Sequence, residues 1–478
     1  MFNEKFKLKK ENFVVILLGC VVLLILWISN RQENSQASFH LLPKVLLEKL
    51  AKSPVDRSIQ ERISMGNQIL ITGDSTPDKQ VAAKAFAAGD YSRAAAKFSS
   101  SLQLYPNDPE ALIYMNNAVA ASKGSQLKIG VSVPIGGNLN VAKEMLRGVA
   151  QAQNEINQNG GIKGTLVKIE IANDDNNPKI AKQIANQFVE DPKILAVIGH
   201  NSSNASLAAG PIYQEAGLVM MSPTSTAREL ATLGNHIFRT TPNTRVIAHT
   251  LARYIVKSAN KSSVALCLDS QSDASKSFRQ EFTIALFEYG GEVAPTLCDF
   301  SASSFNASKI PSQAISDGAD ALLLIPAVNK INQAIDVARA NDRRLTLIGN
   351  HSMYTYETVK EGQQYINGMV LSVVWHPNIH TNSSFLNNTR SLWGTVGSWR
   401  TATSYDAATA ILTALKAEAS REQLQQSLSS PGFSVKGATG ELKFLSSGDL
   451  QGDSELVKIQ PGNRSGTGYD FVSLDSDS

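Results

Sequence analysis

Two turns between residues 199 and 230 carry the residue types best suited to holding a small anion. The apolar segment 194–198, predicted as a strand, runs into G-H-N-S-S-N, and the predicted strand 218–221 ends in S-P-T-S-T. Short hydroxyl side chains and the free backbone N–H groups at the start of the intervening helix can donate hydrogen bonds to a carboxylate. Neither turn places a nucleophile beside a base, so we expect a binding site and no enzyme activity.

Apolar strands that alternate with amphipathic helices position these turns. From residue 127 onward, segments such as 127–133 and 194–198 are predicted strands, 141–158 is a predicted helix, and the pattern restarts at 263. Such alternation predicts parallel sheets that are covered by helices on both faces. We therefore predict an α/β fold of two Rossmann-like lobes in tandem, with ligand groups at the carboxyl ends of the strands.

Charge and motifs exclude several functions. The net charge of the 478 residues is +3, and no basic stripe with interleaved aromatic residues is present, so no nucleic-acid partner is expected. The run G-G-I-K-G at 160–164 follows a predicted helix, which makes it a turn and not a dinucleotide-binding loop. No residues have metal-ligand spacing. We predict neither a cofactor nor a metal.

The N-terminal residues indicate a membrane segment. A basic tail, residues 1–12, precedes the apolar run 13–29, which is at the short end of what spans a bilayer. The excess of lysines before the run predicts a cytoplasmic N-terminus, a single pass through the inner (plasma) membrane and an extracytoplasmic main domain. A cleaved signal peptide and lipidation at Cys20 are the alternatives.

Two further cysteines would lie outside the membrane. Cys267 and Cys298 each fall at the end of a predicted strand, and these strands could be neighbours. A disulfide in an oxidising compartment and two buried thiols are both compatible with the sequence.

Residues 38–124 are predicted to be a small all-α segment. The stretch 38–73 is predicted as a helix, and 81–124 as two to three more. The second part resembles one tetratricopeptide unit, through Gly89, Tyr91, Ala94, Phe98, Leu102 and Pro106. Because a single unit cannot bury its own apolar face, we expect a helical stalk or spacer; a groove that binds a protein partner is the alternative.

A family resemblance rests on the order and spacing of several segments between residues 127 and 472. These segments are I-G-V-S-V-P, G-G-I-K-G, A-N-D-D-N-N-P-K, V-I-G-H-N-S-S, M-M-S-P-T-S-T-A-R-E-L, F-R-T-T-P and S-Y-D-A-A-T-A-I-L. They resemble the branched-chain amino-acid-binding (Leu/Ile/Val-binding) family of periplasmic solute-binding proteins of ABC transporters. The resemblance implies a type I periplasmic binding protein, or class I Venus-flytrap, fold over 125–478. Lobe one would comprise 127–244 and 375–440, and lobe two 245–374 and 441–478.

The resemblance also implies ligand-binding residues. Ser203 stands at the family's helix-start serine, while Thr224 and Thr226 stand at the ligand-contacting positions of the second turn. With their neighbours Ser202 and Ser225, these residues are expected to hold a ligand carboxylate. Ser203 could equally be a simple helix N-cap.

Lobe two departs from the family pattern. The family has an acidic residue for the ligand's ammonium group just after the strand that ends at Gly349, whereas this chain has Asn350 and His351. Either Asp273 supplies the counter-charge, or the ligand is not a standard α-amino acid. A helix N-cap at Asp273 and a polar loop residue at His351 are the structural alternatives.

The function expected from these residues is capture of an amino acid or a related small polar solute between two lobes. The partner would be an ABC-type permease, with the protein anchored by its N-terminal helix. The alternative function is a ligand sensor or scaffold that signals through the anchor and the helical segment.

Overall fold

The chain forms two α/β lobes, each built on its own β-sheet, in the computed structural model, which describes residues 59–379 and 384–474. The helices are α1 (Pro77–Ala87), α2 (Tyr91–Leu104), α3 (Pro109–Ser122), α4 (Leu139–Gln158), α5 (Pro178–Glu190), α6 (Ser203–Glu215), α7 (Thr244–Arg253), α8 (Asp273–Glu288), α9 (Ile310–Ser316), α10 (Ile331–Asn341), α11 (Tyr356–Gly362), α12 (Ser384–Trp393), α13 (Trp399–Ala414) and α14 (Arg421–Ser429). The strands are β1 (Ile63–Ser64), β2 (Lys128–Val133), β3 (Lys168–Asn173), β4 (Ile194–Ile198), β5 (Val219–Ser222), β6 (Ile237–Arg239), β7 (Ser263–Leu268), β8 (Glu292–Val293), β9 (Cys298–Asp299), β10 (Ala321–Ile325), β11 (Thr346–Gly349), β12 (Val370–Val373), β13 (Val435–Lys436), β14 (Glu441–Leu442), β15 (Glu455–Pro461) and β16 (Tyr469–Ser473).

The sheet of lobe one has the order β1-β3-β2-β4-β5-β6. Every residue of β2, β4, β5 and β6 is buried, because helices cover both faces of the sheet. This burial explains why β4 and β5 are apolar almost throughout, whereas β2 also carries the buried Lys128 and Ser132. The α/β prediction is confirmed for this lobe.

The sheet of lobe two has the order β16-β15-β12-β11-β10-β7-β8, and β9 also pairs with β7. Strands β7, β10, β11 and β12 are parallel, as predicted. The prediction of purely parallel sheets is wrong, because β15 pairs antiparallel with both β12 and β16, and β1 pairs antiparallel with β3. The β15–β16 hairpin extends the edge of the sheet, and a hairpin is antiparallel by construction.

The helices α1, α2 and α3 do not form a separate stalk. Their apolar residues, among them Phe98 and Tyr114, belong to the same hydrophobic core as strands β2 and β3 of lobe one. The buried Asn117 on α3 donates to the Ile169 carbonyl oxygen at 2.6 Å and accepts from the Ile169 N–H at 2.8 Å. The helical segment is therefore an extension of lobe one.

The predicted helix 38–73 is wrong over the residues that the structure describes. Ile59 and Gln60 are helical, but the chain then forms the short strand β1, several turns and the 3₁₀ turn Thr72–Asp74, and Gly66 adopts a φ of 125°, which a helix excludes. The remainder of that helix and the apolar run 13–29 lie outside the described residues. Within residues 59–379 and 384–474, no helix is long and apolar enough to cross a bilayer.

Cys267 and Cys298 form a disulfide. Cys267 on β7 and Cys298 on β9 are direct partners in the parallel ladder, and their sulfur atoms are bonded. The predicted adjacency of their strands is confirmed, and the alternative of two free thiols is wrong.

Helix α13 follows the return of the chain from lobe two and packs closely along α4 of lobe one. The approach is closest at Gly148, where an added Cβ would lie 2.2 Å from the Thr401 carbonyl oxygen. Ser398 and Thr401 form a capping box at the start of α13. The first residues of α13 are thereby fixed beside the lobe interface.

Candidate functional site

A polar cavity of about 620 Å³ lies between the carboxyl ends of the strands of the two lobes. Lobe one contributes the loops that follow β2, β3, β4 and β5, and lobe two contributes the loops that follow β7, β10 and β11. Trp399 and Arg400, at the start of α13, complete the lining. This is the location expected for a ligand site in open α/β sheets.

The first predicted turn lines this cavity through Ser202 and Ser203. Ser202 is the N-cap of α6, and its hydroxyl accepts from the Ala205 N–H at 3.2 Å. The Ser203 hydroxyl accepts from the Ala227 N–H at 3.2 Å, so it fastens the first turn to the second. Ser202, not Ser203, is thus the helix N-cap.

In the second turn, Thr224 and Thr226 line the cavity and Ser225 does not. The Thr224 hydroxyl donates to the Asn201 carbonyl oxygen at 2.8 Å. The buried Thr226 Oγ1 has no hydrogen-bond partner among the described residues. The Ser225 hydroxyl donates to backbone carbonyl oxygens of the first turn, so the role of Ser225 is structural. Of the two turns, Thr226 therefore carries the hydroxyl with the most capacity left for a ligand.

Arg239, from the segment F-R-T-T-P, holds the second turn in place. Its guanidinium donates to the Ala227 carbonyl oxygen at 2.8 Å, and its Nε pairs with Asp449 at 2.6 Å. Burial lowers the pKa of Arg239, and the Asp449 carboxylate opposes that shift. Asp449 lies between β14 and β15, so the turn is tied to a late part of the chain.

A fully buried polar network lies behind the first turn. His200 Nδ1 is 2.6 Å from Asp174 Oδ2, and the Ser132 hydroxyl donates to the same oxygen at 2.9 Å. Tyr213 completes the network at 3.2 Å from His200 Nε2. None of these four residues lines the cavity, so they hold the ends of β2, β3 and β4 and do not contact a ligand there.

The prediction that places Asp273 in the site is not supported by its position. Asp273 does not line the cavity, and its carboxylate pairs with Lys276 at 2.7 Å. Ser272 is the N-cap of α8, so Asp273 is the first helical residue, and its side chain lies next to the residue three positions on.

His351 does line the cavity, in a short 3₁₀ turn, His351–Met353, directly after β11. Its side chain is buried, and its Nδ1 has no hydrogen-bond partner among the described residues. Burial, and secondarily the Arg400 charge, lower the pKa of His351 to about 3, so the imidazole is neutral near pH 7.

Arg400 is one of the cavity residues that the sequence reasoning missed, together with Trp399, Asp175, Asp269 and Lys330. Its side chain is only 4% exposed, and its guanidinium carbon lies 4.3 Å from the centre of the Trp399 ring. Burial lowers the pKa of Arg400 to about 10, which leaves it charged at neutral pH. The signal was a lone arginine at the start of a helix, 399–414, composed mostly of small and apolar residues.

Two carboxylates also line the cavity. Asp175 forms an ion pair with Arg62 at 2.6 Å. Asp269, at the end of β7, accepts from the Gln271 N–H at 3.0 Å and from the Ser301 hydroxyl at 2.7 Å. Across the described residues, no three histidine, cysteine, aspartate or glutamate side chains are grouped to hold a metal ion.

The two lobes are in direct contact beside the cavity. Asn204 on α6 donates to the Gln271 carbonyl oxygen at 3.0 Å and accepts from the Asp273 N–H at 3.0 Å. Arg228 of lobe one pairs with Glu281 on α8 at 2.7 Å. These contacts bridge the two lobes beside the cavity, and an opening of the lobes would break them.

Comparison with known proteins agrees with this architecture. An amino acid binding protein of Pseudomonas aeruginosa is 37% identical over 107 residues, which is 22% of this chain and 29% of that protein. The Leu/Ile/Val-binding protein of Escherichia coli K12 is 34% identical over 163 residues, 34% of this chain and 43% of that protein. The matched segments thus span less than half of these relatives.

At the level of structure, a leucine binding protein from Thermotoga maritima superposes with a TM-score of 0.64 at 20% identity, covering 73% of this chain and 98% of that one. That likeness shows the fold. The family model described as "Periplasmic binding protein" matches residues 126–464, which is most of the chain. The chain belongs to the periplasmic binding protein family.

Proposed function

We propose that this protein is an extracytoplasmic solute-binding protein that captures an amino acid or a related small polar solute between its lobes. The observation that carries the proposal is the polar cavity at the facing strand ends, beside which Asn204 and Arg228 make contacts across the lobes. The names of the relatives, which are amino acid and Leu/Ile/Val-binding proteins, support this class of ligand. Ser202, Ser203, Thr224 and Thr226 hold one end of the solute in this proposal, and His351 faces it from lobe two.

Delivery of the solute to an ABC-type permease is part of the same proposal. The solute binds to one lobe, a hinge motion closes the other lobe over it, and the closed form is what the permease recognises. The disulfide of Cys267 and Cys298 supports an extracytoplasmic location, since such bonds persist in oxidising compartments. Residues 13–29 serve as the membrane anchor.

We favour uptake over the alternative of a sensor that signals through the helical segment. A sensor of that kind needs helices that move as a unit of their own. Helices α1, α2 and α3 instead share one core with lobe one, through residues such as Phe98, Tyr114 and Asn117.

A thermal-shift screen of the full-length protein against amino acids, amides and small organic acids tests the proposal. A bound solute stabilises the folded state by about 2.7 kcal/mol at about 100 times its Kd. The full-length chain is required, because a fragment starting at residue 125 would remove about a quarter of the buried residues of the core that lobe one shares with the N-terminal helices. If no solute shifts the melting temperature, the solute-binding function is refuted.

A further inference from the structure

Buried polar atoms without partners are concentrated at the cavity. Five side chains that line it each have a buried polar atom with no hydrogen-bond partner among the described residues: Asp175 Oδ1, Thr226 Oγ1, His351 Nδ1, Trp399 Nε1 and Arg400 Nε. Trp399 and Arg400 can only donate, and Thr226 and the neutral His351 are able to donate. A polar group that is buried without a partner is costly, so the four possible donors among these atoms mark where a ligand's acceptor atoms are needed, whereas Asp175 Oδ1 can only accept.

Three of these side chains form one cluster. The Arg400 guanidinium lies over the Trp399 ring, and the His351 ring meets that ring edge-on at 5.5 Å between centroids. We call His351, Trp399 and Arg400 the arginine cluster. Its nitrogen donors come from both lobes, so it lies where closure brings the lobes together.

Arg400 has no carboxylate partner within ion-pair distance in the part of the chain that the structure describes. The charge of the Glu144 carboxylate raises the pKa of Arg400. That carboxylate, however, accepts from the Ser398 N–H and pairs with Arg147. A buried cation that lacks a counter-charge is unfavourable. An anionic group on the ligand would supply that charge.

Two carboxylates at the cavity are already engaged through one oxygen each. Asp175 Oδ2 pairs with Arg62, and Asp269 Oδ1 accepts from the Gln271 N–H and the Ser301 hydroxyl. Lys330 adds a further cation to the lining. When Arg62 is counted with its partner Asp175, the three cations Arg62, Lys330 and Arg400 exceed the two carboxylates Asp175 and Asp269 by one positive charge.

Given the proposed solute-binding function, on which this inference rests, we propose that the solute is a net anion and that Arg400 binds its carboxylate. The ligand class is a small organic acid that lacks an α-ammonium group. Ser203 and Thr226 contribute donors from lobe one, and His351 and Trp399 contribute donors beside Arg400.

The test compares L-leucine with 4-methyl-2-oxopentanoate, which has the same carbon skeleton with a keto oxygen in place of the ammonium group. Glutarate and benzoate extend the panel of anions. Calorimetric titration of the full-length protein should give at least one of the three anions a Kd about tenfold lower than that of leucine.

The variant Arg400→Gln should weaken binding of that anion by about tenfold or more, while Arg400→Lys should retain part of the affinity because it keeps the charge. Without any solute, Arg400→Gln should raise the melting temperature, because an unpaired buried cation is removed. A purely structural arginine would instead lower it. Arg421→Gln is the matched control: Arg421 donates to the carbonyl oxygens of Ile194 and Asp191, so its loss should lower stability and leave affinity unchanged.

The outcomes separate the two proposals. Tighter binding of leucine than of every anion, or equal anion affinity in Arg400→Gln, overturns the anionic ligand and leaves solute binding intact. If leucine binds more tightly than every anion, Asp269→Asn should weaken leucine binding. If no solute in the panel binds, both proposals fail.

Discussion

At the scale of single residues, the hydroxyl groups of the two turns divide into structural and unengaged ones. Ser202, Thr224 and Ser225 use their hydroxyls on the backbone of the turns themselves. Thr226 Oγ1 is buried at the cavity with no protein partner among the described residues. We therefore expect the Thr226 hydroxyl to contribute to ligand binding rather than to folding.

Thr226→Val should therefore weaken solute binding by about tenfold, which is about 1.4 kcal/mol, with little loss of stability. The shape of the side chain is kept while its hydroxyl is removed. Titration calorimetry on the full-length protein measures the effect. Thr389→Val is the matched control, since the buried Thr389 hydroxyl contacts Gln151 and Phe385 away from the cavity. If both variants leave affinity unchanged, Thr226 has no part in binding.

His351 makes stability depend on pH in a defined direction. Its pKa in the folded state is about 3, against an ordinary value of 6.5, because burial disfavours the imidazolium. Between these two values the unfolded state binds the extra proton, so stability falls as the pH drops through this window, by about 1.4 kcal/mol per pH unit.

We expect His351→Gln to lack this part of the pH dependence. Urea unfolding of the ligand-free protein at about pH 7 and about pH 4.5 checks it. Burial also lowers the pKa values of His236 and His376. Both residues are present in the wild-type protein and in the variant, so their contributions cancel when the two unfolding free energies are subtracted. Parallel stability curves for the two proteins would show that His351 is protonated in the folded state.

Site residues could be found from the sequence where their position depends on neighbouring residues. They could not be found where their position depends on packing between distant parts of the chain. Ser203 and Thr226 follow predicted strands directly, so their place at the sheet edge was foreseeable. Asp273 was misplaced because one residue decides which side chain caps a helix and which follows the cap. Arg400 could not be found, because its missing partner is a property of the packed molecule and not of its neighbours in sequence.

At the scale of elements, a buried ion cluster joins the helices of the N-terminal segment. Lys79 on α1 contacts Asp108 at 2.6 Å and Glu110 at 2.8 Å, and all three side chains are almost fully buried. Glu110 also accepts from the N–H groups of Leu70 and Ile71. Asp108 is in addition the N-cap of α3, so one cluster fixes α1, α3 and the chain before them.

Lys79→Met should destabilise the protein by about 3–5 kcal/mol, because it leaves two buried carboxylates without their cation. Chemical denaturation of the full-length protein measures the loss. Lys97→Met is the control, since Lys97 pairs with Asp78 in a largely exposed position and such pairs are worth about 1 kcal/mol or less. Similar effects for the two variants would mean that the cluster does not hold these helices together.

The helical segment also shows the limit of repeat recognition. Its helices were predicted from the match to a tetratricopeptide unit, in which Pro106 ends one helix and residues 109–112 begin the next. Whether such helices stand apart or join a neighbouring domain depends on which apolar faces meet, and residues such as Tyr114 and Ile169 are far apart in sequence. The sequence therefore predicted the elements but not the domain that they extend.

At the scale of the whole molecule, the contacts across the lobes hold the enclosed form together. Asn204 makes two hydrogen bonds to the backbone of lobe two, whereas the Arg228–Glu281 pair involves an arginine that is largely exposed. The bond that Asn204 accepts from the Asp273 N–H is partly buried, and a partly buried hydrogen bond contributes more than an exposed ion pair.

Asn204→Ala should therefore speed solute release severalfold and leave the association rate nearly unchanged, because release requires the lobes to part. Stopped-flow measurement of both rate constants tests this. Arg228→Met is the comparison, for which we expect a smaller change. A slower association rate with an unchanged release rate in Asn204→Ala would contradict a role in holding the lobes closed.

The two-lobed architecture itself was predictable, because buried parallel strands leave long apolar runs and the alternation with helices repeats along the chain. The antiparallel β15 and β16 were not, since late strands can join a sheet edge in either direction.

The measurement that most directly tests the central claim, that a solute is held at the cavity between the lobes, is a calorimetric titration of the full-length protein and of its Ser203→Ala, Thr226→Val double variant. The solute used is whichever one the thermal-shift screen identifies. We predict one solute bound per chain and an affinity that falls by at least about tenfold in the double variant. Equal affinity for the two proteins would contradict the site.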